Sequence, residues 1–127
     1  MKKYLLFLLL FKSLSGLAQD DTAIGLLKEA EEQYAQNNFT EAISLYKQST
    51  ESAIENGDKK SLADAYDHLG DTYHKMENPE EALKYYLLAL PVEKEARNTL
   101  GVSQTSKDLG EVYSELKRYD LAVKYRC

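Results

Sequence analysis

Leu69-Gly70-Asp71-Thr72-Tyr73 returns forty positions later as Leu109-Gly110-Glu111-Val112-Tyr113. Glu41-Ala42-Ile43, Glu81-Ala82-Leu83 and Leu121-Ala122-Val123 fall on the same grid, with Phe39, Pro79 and Tyr119 just ahead of them. Tyr46 and Tyr86 follow the first two triplets at equal distance. A fixed period in this range means stacked supersecondary units, none of which can bury its apolar face alone. Such stacks present surfaces for binding more often than they carry chemistry.

Around that grid the apolar residues recur at helical spacing. Leu27, Ala30 and Tyr34 share one face of a helix that starts near Ile24 and ends at Ala35. A second helix is expected from Phe39 to Glu55, turning Ala42, Ile43, Tyr46, Ser49, Ala53 and Ile54 inward. A third runs from Lys60 to Met76 and buries Leu62, Ala65, Tyr66, Leu69, Gly70 and Tyr73. Asn78-Pro79-Glu80-Glu81 opens a fourth, since Asn caps free N–H groups, Pro fits the first turn and carboxylates face the positive helix end. It reaches Arg97, with a bend expected at Pro91. The fifth spans Val102 to Leu116, the sixth starts at Tyr119, and no β-strand alternation appears. Small residues at Gly70, Gly110, Ala42, Ala82, Ala89 and Ala122 allow close helix approach, and Tyr66, Tyr73, Tyr86 and Tyr113 fill the space around them.

The N-terminus has a different character. Lys2-Lys3, an apolar run from Tyr4 to Phe11, and a small-residue stretch ending Gly16-Leu17-Ala18 form the pattern of a secretory signal peptide. The run is too short for a membrane span. Cleavage near Ala18 is expected, giving an exported protein, periplasmic or secreted. Residues 1–18 are thus the leader, 19–23 a polar lead-in and 24–127 the repeats, divided 24–60, 61–100 and an incomplete 101–127.

Losing Lys2, Lys3 and Lys12 leaves 13 basic against 21 acidic residues, a net charge near −8. That excludes direct nucleic-acid binding, which depends on cations neutralising phosphates. An anionic membrane surface is equally disfavoured. A membrane enters only if a span lies further along. Cys127 is the only cysteine, so no intrachain disulfide forms.

These residues resemble the tetratricopeptide repeat family. Tyr66 stands at its Trp position, followed by Leu69, Gly70 and Tyr73, then Ala82, Tyr86 and Ala89. The third unit keeps Leu109, Gly110, Tyr113 and Ala122 with Ser106 at the Trp position, while the first is divergent, with Ala30 for the Gly. The period exceeds the family's usual length, similar to a long variant found in bacterial signalling proteins, with the additional residues assigned to the turn Asn56 to Lys60. The resemblance implies an all-α fold, a right-handed α-solenoid of antiparallel helix pairs with about two and a half repeats. It also implies that the first helix of each pair lines a concave groove.

Carried over by register, that groove comprises Leu27, Glu31 and Tyr34, then Asp64, Asp67, Asp71, His74 and Lys75, then Gln104, Lys107, Glu111, Ser114 and Glu115. Family members that clamp a peptide carboxylate place Lys, Asn and Arg there. Here Leu27, Glu31, His68, Gln104 and Asp108 hold those positions, so that activity is not implied. Acidic residues dominate. Two readings stand open: a groove for a basic or polar peptide segment, and a solvated face without a ligand.

Asp64, Asp67, Asp71 and His74 form one helical stripe, but one helix supplies ligands from a single direction, so no metal is expected. His68 is placed on another side of that helix, paired with Asp64. Glu80–Lys84, Glu93–Arg97 and Asp120–Lys124 have the spacing of exposed helical ion pairs. No phosphate loop, CxxC, HExxH or nucleophile elbow occurs, so no enzyme and no cofactor is expected. The function expected is that of an interaction module for a protein or peptide partner. It is either a free-standing scaffold or the sensory N-terminal part of a longer signalling protein such as a sensor histidine kinase or transcriptional regulator. The incomplete third unit also leaves self-association open.

Overall fold

The structure, a computed structural model, describes residues 22–126. The signal-peptide pattern and Cys127 lie outside them. Six helices follow one another: α1 (Ala23–Ala35), α2 (Phe39–Asn56), α3 (Lys59–Lys75), α4 (Pro79–Glu95), α5 (Thr99–Glu115) and α6 (Tyr119–Arg126). Among the described residues there is no strand. Each helix packs on the next, and α1 also touches α3, which is the arrangement of an α-solenoid.

The backbone repeats at half the spacing of the side chains. After α2, every helix begins 20 residues after its predecessor, the starts falling at 39, 59, 79, 99 and 119. The turns contain a left-handed residue on the same grid: Asn37, Gly57, Glu77, Arg97 and Lys117, with φ of 62, 66, 59, 56 and 60°. The following N–H then bonds back to a carbonyl of the last helical turn: Asn38 to Gln33, Asp58 to Ala53, Asn78 to Tyr73, Asn98 to Glu93 and Arg118 to Tyr113, at 2.7 to 2.9 Å. This is the Schellman closure, which satisfies carbonyls orphaned at a helix end. Asp58, Asn78 and Asn98 then cap the next helix by accepting from the N–H of Ser61, Glu81 and Gly101.

The additional repeat length is therefore in the helices. α2 has 18 residues and α3, α4 and α5 have 17 each, while the turn expected to hold it is only Gly57-Asp58. α4 ends at Glu95 because Arg97 takes the left-handed position. Pro91 stays within α4; it is exposed, where the carbonyl it fails to serve can meet water.

Two apolar clusters form the core. One joins Leu26, Leu27, Ala30, Ala42, Leu45, Tyr46, Ala65, Leu69 and Tyr85. The other joins Ala82, Tyr86, Leu90, Leu109, Val112, Tyr113 and Ala122, and Tyr73 packs against both. Ala30, Ala42, Ala65, Ala82 and Ala89 are fully buried, as their role in close helix approach requires. Leu45 and Tyr85 belong to this core but were not on the expected inner face, whereas Ile54 is exposed. Ile54 lies in the last turn of α2, where the adjacent Ala53 takes the buried side. Tyr73 and Tyr85 stack with centroids 5.6 Å apart. None of the described helices is long and apolar enough to cross a membrane.

Candidate functional site

α1, α3 and α5 present their polar residues on a common face, tied together by two histidines of α3. His68 reaches back to Glu31 of α1, Nε2 to Oε1 3.4 Å, and its ring lies on Tyr46. His74 reaches forward to Glu115 of α5 at 2.7 Å. His68 is thus part of this face and not of another side of the helix. Its expected partner Asp64 is taken by Lys60, 3.1 Å away. A tertiary partner and a flat ring contact outweigh a pair along the helix, which contributes only tenths of a kcal/mol.

At the centre, one carboxylate oxygen from each of Asp67, Asp71 and Asp108 lies within 4.8 Å of the others. The sequence put Asp67 and Asp71 in this stripe but not Asp108, which comes from α5. Its arrival supplies the second direction that a single helix lacked. Three convergent carboxylates could coordinate a divalent cation or receive an ammonium or guanidinium group. None of the three is in an ion pair among the described residues.

Tyr86 of α4 donates its hydroxyl to Asp71 Oδ1 at 2.5 Å. Its ring lies against Gly70, where a Cβ would sit 2.5 Å from the ring, so glycine is what lets α4 come this close. Burial, then the charge of Asp71, pushes the Tyr86 hydroxyl well above its ordinary range. It remains a neutral donor.

The same low-dielectric, like-charged setting acts on the acids. Asp67 is pushed up to about 7, by burial first and then by Asp71, Asp108 and Glu93; its hydrogen-bond contact with Thr105 pulls the other way. Asp108 is pushed up to about 6, by burial and then by Asp71 and Glu111, with His74 and Lys107 opposing. Glu93 of α4 is only 3% exposed and accepts from Thr105 Oγ1 at 2.6 Å. Its expected pairing with Arg97 is absent because Arg97 sits in the turn and Glu93 faces α5. Burial raises its pKa, Thr105 lowers it and Asp64 raises it. Lys84 lies 4.0 Å from Glu81 rather than pairing with Glu80, and Asp120 is outside the described side chains.

An open cleft of ≈ 470 Å³ runs over this centre, bordered by Tyr34, Asp71, His74, Lys75, Tyr86 and Asp108. Of the expected groove residues, Tyr34, Asp67, Asp71, His74, Lys75 and Glu115 therefore converge. Asp64 and Glu31 border a separate cavity of ≈ 240 Å³ nearer the N-terminal end. Lys107 and Glu111 are exposed on α5 and reach the cluster through their charges on Asp108. Leu27 is buried in the core and borders that same N-terminal cavity. Asp108, Tyr86, Glu93 and Thr105 are the members that the helical stripe did not contain. The resemblance already puts Asp108, the forty-residue equivalent of His68, at a groove position, but not beside Asp67 and Asp71.

A family profile described as tetratricopeptide repeat matches residues 33–95 and 61–125. Among solved structures, the crystal structure of the TPR domain of Arabidopsis FLU superposes with a TM-score of 0.75 at 21% identity, covering 81% of this chain and 87% of that one. At that identity the likeness concerns the fold. No curated protein matches the chain.

Proposed function

The chain belongs to the tetratricopeptide repeat family, and from that premise we propose that it is a non-catalytic docking module whose α1–α3–α5 face receives a basic segment of a protein partner. Tetratricopeptide repeats generally mediate protein–protein interaction, and this chain's particular chemistry lies in what the face exposes. The observation that carries the reading is the convergence of Asp67, Asp71 and Asp108 without a cationic side chain paired to any of them among the described residues. An incoming lysine or arginine would relieve that repulsion, and the half-buried Tyr34 borders the same cleft. Lys2-Lys3, the apolar run and Gly16-Leu17-Ala18 support export, so the module would work in the periplasm or outside the cell, free-standing or as the sensory part of a longer signalling protein.

Amide chemical-shift mapping of the full chain with an arginine- and lysine-rich peptide tests the location. The largest changes are expected on α3 and α5 around Asp67, Asp71 and Asp108. Changes confined to α2 and α4, or none at saturating peptide, would overturn the proposal.

A further inference from the structure

Thr105 stands between two acids of different helices. Its hydroxyl oxygen is 2.6 Å from Glu93 Oε1 on α4 and 3.2 Å from Asp67 Oδ1 on α3. A hydroxyl has one proton to give and lone pairs to receive with. The shorter contact, to a carboxylate that is almost wholly buried, claims the proton. If Asp67 were also ionised, its oxygen would face the hydroxyl's lone pairs, with Asp71 and Asp108 adding negative charge alongside. One more proton makes every contact favourable.

We propose that the joint between the second and third repeats stores a proton: Asp67 is a neutral acid donating to Thr105 Oγ1 while Thr105 donates to Glu93, and loss of that proton loosens α3 from α5. The proton count closes: Asp67 gives its proton to solvent, and Thr105 is then left with one hydrogen for two carboxylates. The joint is a device of the free protein and holds whether or not the face binds a basic segment.

The acids around it act in one direction. On α3, Asp64 bears on Glu93 and Asp71 on Asp67; on α5, Asp108 bears on Asp67. The hydroxyl of Tyr86 on α4 and, more remotely, those of Tyr34 on α1 and Tyr46 on α2 face Asp71. The cations, His74 and Lys107, act on Asp108. Burial with these acids pushes Asp67 up to about 7 from an ordinary 3.8. The folded chain then holds a proton that the unfolded chain releases between those values, so stability is greatest below the lower one and declines as pH rises through the upper one.

Two measurements on the full chain test this. Carbon-detected NMR should find the Asp67 carboxyl titrating with a midpoint above about pH 6, since a neutral acid at the joint needs a value far from the ordinary range. A midpoint at or below that would overturn the proposal. Denaturant unfolding should give an unfolding constant at least about tenfold larger at pH 8 than at pH 5, one pKa unit of linkage being a factor of ten. Asp67→Asn, which keeps a donor for Thr105 without a charge, should flatten that dependence and unfold less readily than the parent at pH 8. An unchanged pH dependence in Asp67→Asn would sink the idea.

Discussion

A methyl group at position 70 has nowhere to go. The Tyr86 ring occupies the space, and that ring is fixed from its far end by the hydrogen bond to Asp71. Gly70→Ala should therefore destabilise the fold by about 1 to 3 kcal/mol, the range for overpacked cores, as read from denaturant unfolding. Tyr86→Phe keeps the ring and removes the donor, which should cost about 1.5 to 3 kcal/mol for a hydrogen bond to a charged group. The close approach at Gly70 was legible in the sequence, because a glycine and a tyrosine at family spacing imply it. The hydroxyl's destination was not, since the repeat register puts Asp71 on the polar face of α3 and Tyr86 in the core. One contact makes them a unit. The floor of the cleft is thus attached to the packing beneath it.

At the scale of the helix and its turn, the forty-residue grid of side chains overlies a twenty-residue grid of backbone. Alternate helices differ in what they bury, so side-chain similarity appears only at every second one. The turns do not differ: each has a left-handed residue and the same closure to the preceding helix. Asn38, Asp58, Asn78 and Asn98 mark those turns in the sequence, but the residues before them, Asn37, Gly57, Glu77 and Arg97, share no side-chain chemistry. That is why the observed C-terminal ends of the helices differ from the expected ones by up to two residues. It is also testable. Glu77 and Arg97 adopt φ of 59 and 56° without being glycine. Left-handed backbone costs a residue with a Cβ about 1 to 2 kcal/mol, partly offset by the greater freedom of unfolded glycine. Glu77→Gly and Arg97→Gly should each raise stability by about 0.5 to 1 kcal/mol, measured as an upward shift in the denaturant midpoint without a change in slope.

In the whole molecule, the stack converts spacing along one helix into convergence between helices. The sequence placed Asp64, Asp67, Asp71 and His74 on a stripe, and the stripe exists. What it could not supply was the register between helices, and that register brings Asp108 against Asp67 and Asp71 and puts Glu115 on His74. It also separates Asp64 into a different cavity beside Glu31. The helical stack was readable from periodicity, and the groove face came only from the family resemblance, whereas the carboxylate cluster required the packing of α3 on α5. Burial, and then the charges of the cluster, raises the pKa of two of its acids, so a cation docking there competes with protons. Binding of a basic segment should accordingly strengthen as pH rises from 5 to 8, as Asp108 and then Asp67 ionise near about 6 and 7. The same rise weakens the joint between the second and third repeats.

The most direct test of the docking face is the affinity of the full chain for a fluorescent arginine- and lysine-rich peptide, measured from about 0.05 to about 0.5 M NaCl for the parent and for Asp108→Lys. The acidic-face account predicts that the parent binds, weakens by about tenfold or more across that range, and loses most of its affinity and salt dependence in Asp108→Lys. Affinity that ignores salt, or that survives Asp108→Lys undiminished, would contradict it.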